Sequence, residues 1–156
     1  MSRNAAVAQW FDEVARLTRP QEVVWCDGSD AEQARLTDHA LKTGVLLELN
    51  QKKLPGCYLH RSSPNDVART EHLTFICTRR KEDAGITNNW MAPQEAYQKL
   101  GAIFAGSMQG RTMYVVPYLM GPARSPCSKV GVQLTASVYV ALSMRIMTRM
   151  GKVALD

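Results

Sequence analysis

The closing stretch of this 156-residue chain carries apolar side chains at Val138, Val140, Ala141, Leu142, Met144, Ile146, Met147 and Met150, which would cover most faces of a single helix. A helix without a polar face has to be enclosed on nearly all sides, so this segment demands a layered neighbourhood. Thr135 or Ser137 can cap it. The expectation is a helix largely buried in the complete protein, whose surface a finished small domain would not leave exposed. Arg145 and Arg149, four residues apart, should share one of its faces and pair with carboxylates outside this sequence.

The rest of the chain supplies layers for it. Asn4 can cap a helix with Val7, Trp10, Phe11, Val14, Ala15 and Leu17 at helical spacing, ending before Pro20. Residues 23–25 read as a short strand. Ser29 with Glu32 forms a capping-box signature for a helix through Thr43, terminated by Gly44. Residues 45–49 and 57–60 are strand candidates around a Pro55-Gly56 turn, and 73–78 is another. The polar stretch 79–89 reads as a long loop. Pro93 opens a helix with Ala96, Tyr97, Leu100, Ile103 and Phe104 on one face, and Gly106 lies past its end. Residues 111–119 read as a strand. Pro117 lacks a backbone donor, which places it on an edge or at a bulge. Residues 130–134 are the partner strand. The fold class is α/β: a mixed sheet with flanking helices in one unit, expected to be incomplete.

Five segments in order carry a further signal: Val24-Trp25-Cys26-Asp27-Gly28-Ser29, Asp66-Val67-Ala68-Arg69-Thr70-Glu71, Thr87-Asn88-Asn89-Trp90-Met91, Gly110-Arg111-Thr112-Met113-Tyr114-Val115-Val116-Pro117-Tyr118-Leu119-Met120-Gly121-Pro122 and Ser143-Met144-Arg145-Ile146-Met147-Thr148-Arg149-Met150-Gly151. The chain resembles the amino-terminal part of the GTP-dependent phosphoenolpyruvate carboxykinases. The resemblance implies that residues 1–156 form the substrate-side domain, stopping before the nucleotide- and metal-binding part. It implies the reaction oxaloacetate plus GTP to phosphoenolpyruvate, GDP and carbon dioxide, in gluconeogenesis. It also implies a monomeric complete enzyme in the cytoplasm with Mn2+ and Mg2+ as cofactors and GTP as co-substrate. The metal ligands, phosphate loop, guanine pocket and lid fall on later segments of the family, so the 156 residues alone are expected to be inactive.

By the same resemblance, Arg69 contacts the carboxylate of oxaloacetate or phosphoenolpyruvate. A guanidinium suits that task, being a planar fork of donors that stays charged. Glu71 falls on an acidic position that meets the mobile lid on closure. No catalytic, metal or cofactor ligand is assigned within the chain: His39, His60 and His72 do not match the metal motif. His72 reads as structural or exposed. Gly101 and Gly106 are spaced as in a phosphate loop, but Ser107-Met108 follow where Lys and Ser or Thr are required. Residues 87–90 are expected to order the long loop through side-chain to backbone bonds. Arg111 reads as equally suited to an anion contact and to an ion pair at the strand entrance.

Composition narrows the alternatives. The net charge of +5 comes from nineteen scattered Lys and Arg, and Arg79-Arg80-Lys81 is followed at once by Glu82-Asp83. That is a solvated loop, without the basic stripe and interleaved aromatics of a nucleic-acid surface. No apolar run approaches the ~20 residues of a bilayer span, and the first residues lack a secretory pattern. Cys26, Cys57, Cys77 and Cys127 have no zinc or redox spacing and are expected to be buried or half-buried thiols. The alternative to a carboxykinase part is a short form retained as a non-catalytic anion-binding or interaction module.

Overall fold

The computed structural model describes residues 4–63 and 70–155. In chain order the elements are α1 Ala5–Thr18, β1 Glu22–Trp25, α2 Asp30–Lys42, β2 Leu47–Glu48, β3 Tyr58–Leu59, β4 Phe75–Ile76, β5 Asn89–Trp90, α3 Pro93–Phe104, β6 Thr112–Met120, β7 Lys129–Thr135, α4 Val138–Met147 and β8 Arg149–Met150, with short 3-10 turns at Glu71–Leu73, Lys81–Ala84 and Lys152–Ala154.

The helices begin where local chemistry satisfies their first N–H groups. Asn4 Oδ1 accepts from the Ala6 and Val7 amides, Ser29 Oγ from Glu32, and Ser137 Oγ from Val140. The expected capping box at Ser29 is displaced. The Asp27 carboxylate takes the Ser29 amide at 2.7 Å, so Glu32 reaches further back and accepts from the Asp27 and Gly28 amides at 3.2 and 2.9 Å. Glu32 is buried, and its charge near the start of α2 also complements the helix dipole.

The main sheet is mixed and centred on β6. β1 runs parallel to it, pairing Glu22 with Thr112 through Trp25 with Val115, and β7 runs antiparallel along the other edge from Met120 back to Tyr114. Because β7 occupies that whole edge, β8, which pairs with Tyr118 and Leu119, lies end to end with β1. Pro117 is therefore in the central strand, not on an edge. The Cys26 amide donates to the Val115 carbonyl at 2.9 Å, and a continuing parallel ladder would need an N–H at 117 to reach back to Cys26. Proline has none, so the β1 ladder stops there. The Pro117 carbonyl instead accepts from Gly151 at 2.8 Å, at the end of β8.

One sheet face is covered by α2 and α4: Leu36, Ala40, Val138 and Ala141 form one buried cluster with Cys26, Leu46, Tyr114, Val116 and Met150. α1 lies over the other face, where Phe11 meets Trp25 with ring centroids 5.4 Å apart. Tyr118 sits opposite Gly131, and its ring occupies the space a β-carbon there would need. Smaller pairs stand apart from this sheet, β2 antiparallel to β3 and β4 parallel to β5. Strand expectations over 45–49, 57–60 and 73–78 contract to these two-residue ladders, and the last is preceded by the 3-10 turn Glu71–Leu73.

Two further expectations are corrected. The closing helix ends at Met147: Thr148 is extended, and Arg149 belongs to β8. The two arginines therefore do not share a helix face, and both have partners in this chain. Arg149 donates to the Gly121 carbonyl at 2.8 Å. Arg145 donates to the Gly28 and Ser29 carbonyls and pairs with Asp30 at 2.5 Å. Of the four thiols only Cys26 is buried; Cys57, Cys77 and Cys127 are exposed, because the connecting segments that carry them are not covered by another layer.

Where β1 and β8 end, their chains cross at close range. Lys152 donates its amide to the Asp27 carbonyl at 3.1 Å. Gly28 and Gly151 both have positive φ, and a β-carbon on Gly151 would sit 2.0 Å from the Asp27 carbonyl oxygen. Gly151→Ala should therefore lose roughly 2–4 kcal/mol through strain and displaced backbone, lowering the melting midpoint by roughly 2–4 °C per kcal/mol. Gly44→Ala, where φ is also positive but nothing lies within 4 Å, should lose less; equal midpoints for the two variants in thermal denaturation would contradict the crossing. Burial pushes the Cys26 thiol up to about 12 from an ordinary 9.0, with Glu32 adding to the effect. A raised folded value favours the protonated fold, so this contribution is complete below pH 9 and disappears as pH rises toward about 12. At neutral pH, iodoacetamide should modify Cys57, Cys77 and Cys127 and spare Cys26, as read by peptide mass spectrometry.

Candidate functional site: the segment around Glu71 and the turn at Asp27

Arg69, the expected substrate contact, lies outside the described residues, as do all of residues 64–69. The description resumes at its neighbour Thr70, which is half-buried, and Glu71 opens the exposed 3-10 turn Glu71–Leu73. The turn is closed by its own backbone, with Leu73 donating to the Thr70 carbonyl at 2.9 Å, and by the Thr74 hydroxyl, which donates to the same carbonyl at 2.9 Å.

The long loop 79–89 folds against this turn. Asn89 Nδ2 donates to the Glu71 carbonyl at 2.6 Å and to the Thr74 carbonyl at 3.2 Å. Asn88 Nδ2 donates to the Ala84 carbonyl at 2.6 Å, and the Trp90 indole to the Thr78 carbonyl and hydroxyl, both at 3.1 Å. The expected ordering of the loop through side-chain to backbone bonds is what the geometry displays. Within the basic run, Arg80 pairs with Asp83 at 2.8 Å, and that bond raises its already high pKa. Between turn and loop opens a cavity of about 490 Å³ lined by Thr70, Glu71, His72, Thr74 and residues 87–89. Its lining is hydroxyls, amides, one imidazole and one carboxylate. Such a set can orient a polar ligand by hydrogen bonds, and among these residues only His72 could bring a positive charge. An anionic substrate would therefore need a cation from beside this cavity.

The second constellation is the Asp27-Gly28-Ser29 turn, fastened from three sides. Glu32 takes two of its amides, Arg145 takes two of its carbonyls, and Lys152 donates to a third. Hydrogen bonds from Ser29 hold the Asp27 carboxyl below its ordinary range, with Lys152 contributing less. The turn's polar groups are thus mostly committed to structure. Sequence reasoning missed Arg145 as its fastener. The signal available was a basic residue in the last turn of an otherwise apolar helix, which has to find an acceptor if one side of that helix is buried. Among the described residues no three His, Cys, Asp or Glu side chains gather into a metal site.

Comparison with known proteins supplies the context. Residues 9–156 match the family described as phosphoenolpyruvate carboxykinase N-terminal domain. A protein named phosphoenolpyruvate carboxykinase [GTP] from Anaeromyxobacter dehalogenans (strain 2CP-C) is 65% identical over 153 residues, 98% of this chain and 26% of the relative. Proteins of the same name from Chlamydia felis and Corynebacterium glutamicum (strain R) are 53% identical over 149 residues and 51% over 155, covering 96% and 99% of this chain and 25% of each relative. The chain spans about a quarter of the length of these relatives, with both fastened segments, 24–29 and 143–151, inside the match. It belongs to the phosphoenolpyruvate carboxykinase family, as its amino-terminal domain.

Proposed function

We propose that this chain is the substrate-side part of a GTP-dependent phosphoenolpyruvate carboxykinase, contributing carboxylate recognition to a site that the rest of such an enzyme completes. The observation that carries the reading is 65% identity over nearly the whole chain to a protein bearing that name. The activity is conversion of oxaloacetate and GTP to phosphoenolpyruvate, GDP and carbon dioxide. Loss of carbon dioxide leaves an enolate whose oxygen attacks the terminal phosphoryl group of GTP. Manganese and magnesium, which polarise such oxygens when bound, have no fitting donor set among the described residues. They are assigned to the three quarters of the relatives that this chain does not span, together with the guanine nucleotide. In this reading the complete enzyme works as a monomer in the cytoplasm; the structure contributes only that no helix among the described residues is long and apolar enough to cross a membrane.

Arg69 is the cation that the cavity beside Glu71 lacks. It stands one residue before half-buried Thr70, which is itself part of the cavity lining. Its guanidinium can grip a carboxylate with two parallel hydrogen bonds, fixing the direction in which the enolate oxygen points. Glu71 is exposed, lines the same cavity and has no side-chain partner among the described residues. That leaves its carboxylate available to meet a closing lid from another part of the enzyme.

The test joins this chain to the remaining sequence of the Anaeromyxobacter dehalogenans relative and measures steady-state turnover of oxaloacetate with GTP. Arg69→Lys keeps the charge and loses the fork; a misplacement of ~1 Å costs on the order of a hundredfold in rate, and kcat/KM should fall by that order. A joined enzyme indifferent to Arg69→Lys would remove Arg69 from the site. The 156-residue chain alone should show no turnover, and activity in a contaminant-free sample would overturn the division of labour.

A further inference from the structure

α4 is not amphipathic in the usual sense. Val138 and Ala141 are buried against the core, and Arg145, its only charged residue, turns inward to the Gly28 and Ser29 carbonyls and Asp30. The outer face carries no charge, and its polar groups are the Ser143 and Tyr139 hydroxyls one and two turns before Ile146. There Ile146 is 87% exposed and Met147 72%, and Met120 at the end of β6 is about half exposed beside them. The surface is shaped as well as apolar. Ile146 is a ridge between two clefts, one of about 450 Å³ toward the β2–β3 hairpin, where His60 stacks on Tyr139 at 3.8 Å, and one of about 360 Å³ toward Met120 and Gly121.

A protein that keeps its one charge on this helix for an internal clasp and leaves Ile and Met outward has built that face for contact. Chain length identifies the occupant. Relatives carrying the same segment are about four times as long, since the matched region is 25–26% of each. A surface continued in the same polypeptide is met at the high effective concentration of a tethered partner, which a second copy has to match by mass action. We propose that the Ile146–Met147 face of α4, with its two flanking clefts, is the docking surface for the downstream part of the carboxykinase polypeptide, and that this contact couples the Asp27-Gly28-Ser29 turn to the rest of the enzyme through Arg145. The inference rests on the reading of the chain as part of a longer carboxykinase.

The experiment places a single reporter thiol at the ridge, Ile146→Cys in a background of Cys57→Ser, Cys77→Ser and Cys127→Ser. Labelling rates are measured in the 156-residue chain and in the same chain joined to the remaining Anaeromyxobacter dehalogenans sequence, each normalised to the rate in denaturant. Joining should slow labelling at position 146 by at least about tenfold, as protection by a folded contact does. Equal rates in the two polypeptides would overturn the proposal. So would protection already complete in a 156-residue chain that sediments as a dimer, which would assign the face to a second copy. Ile146→Asp should lower the melting midpoint of the joined polypeptide and leave that of the short chain unchanged; an unchanged joined midpoint counts against the contact. Turnover by the joined polypeptide is scored separately. An active enzyme with an open position 146 refutes the docking surface alone, whereas a protected position 146 without activity refutes the functional reading alone.

Discussion

The missing N–H of Pro117 is the constraint on which the rest of this architecture depends. In a sheet three strands wide it divides one edge of the central strand between two partners, β1 before it and β8 after it. At the division two chain segments have to leave the sheet at the same place, and they do so through Gly28 and Gly151, whose backbones pass too closely for any β-carbon. A proline that would weaken an ordinary central strand is here the device that brings residues 27–28 and 150–152 together, although they lie more than a hundred positions apart.

That junction also explains where the buried polar groups went. The turn leaving β1 exposes amides and carbonyls in a half-buried place, where unmatched groups are costly. Glu32 satisfies two amides from the α2 side, and Arg145 satisfies two carbonyls from the α4 side. One carboxylate and one guanidinium thus hold opposite polarities of the same three residues. Each is anchored by a helix whose own start is fixed by a serine cap, Ser29 or Ser137. Sheet, both helices and the turn are one mechanical unit.

Short-range chemistry is the part of this fold that is legible in the sequence. The caps at Asn4, Ser29 and Ser137, Pro93 at a helix start and Gly44 at a helix end each act within about one turn, and all stand where expected. An edge position for Pro117 fails because edge or centre depends on which distant strands lie alongside, and neither β1 nor β8 is adjacent to it in sequence. A helix through Arg149 fails although apolar spacing continues to Met150, because the pairing of Arg149 and Met150 with β6 competes with that pattern and wins. Burial of cysteine is a tendency that holds only where a second layer exists, and the segments bearing Cys57, Cys77 and Cys127 lack one. At the candidate site the chemistry of the amides at 88 and 89 points to loop ordering, but the acceptors of Asn89, fifteen and eighteen residues away, are invisible to local pattern.

The two parts of the molecule therefore differ in kind. The sheet unit has a buried core and internal clasps beneath the open outer face of α4. The region from β4 to α3 is held by a two-residue ladder and side-chain amides, with Ile86 and Leu73 largely exposed. Regions with few buried apolar contacts open at lower free energy than cores do, and recognition segments commonly occupy such loops on a rigid scaffold. Asn89 closes this region on itself, because its side chain spans the Glu71 and Thr74 carbonyls from β5.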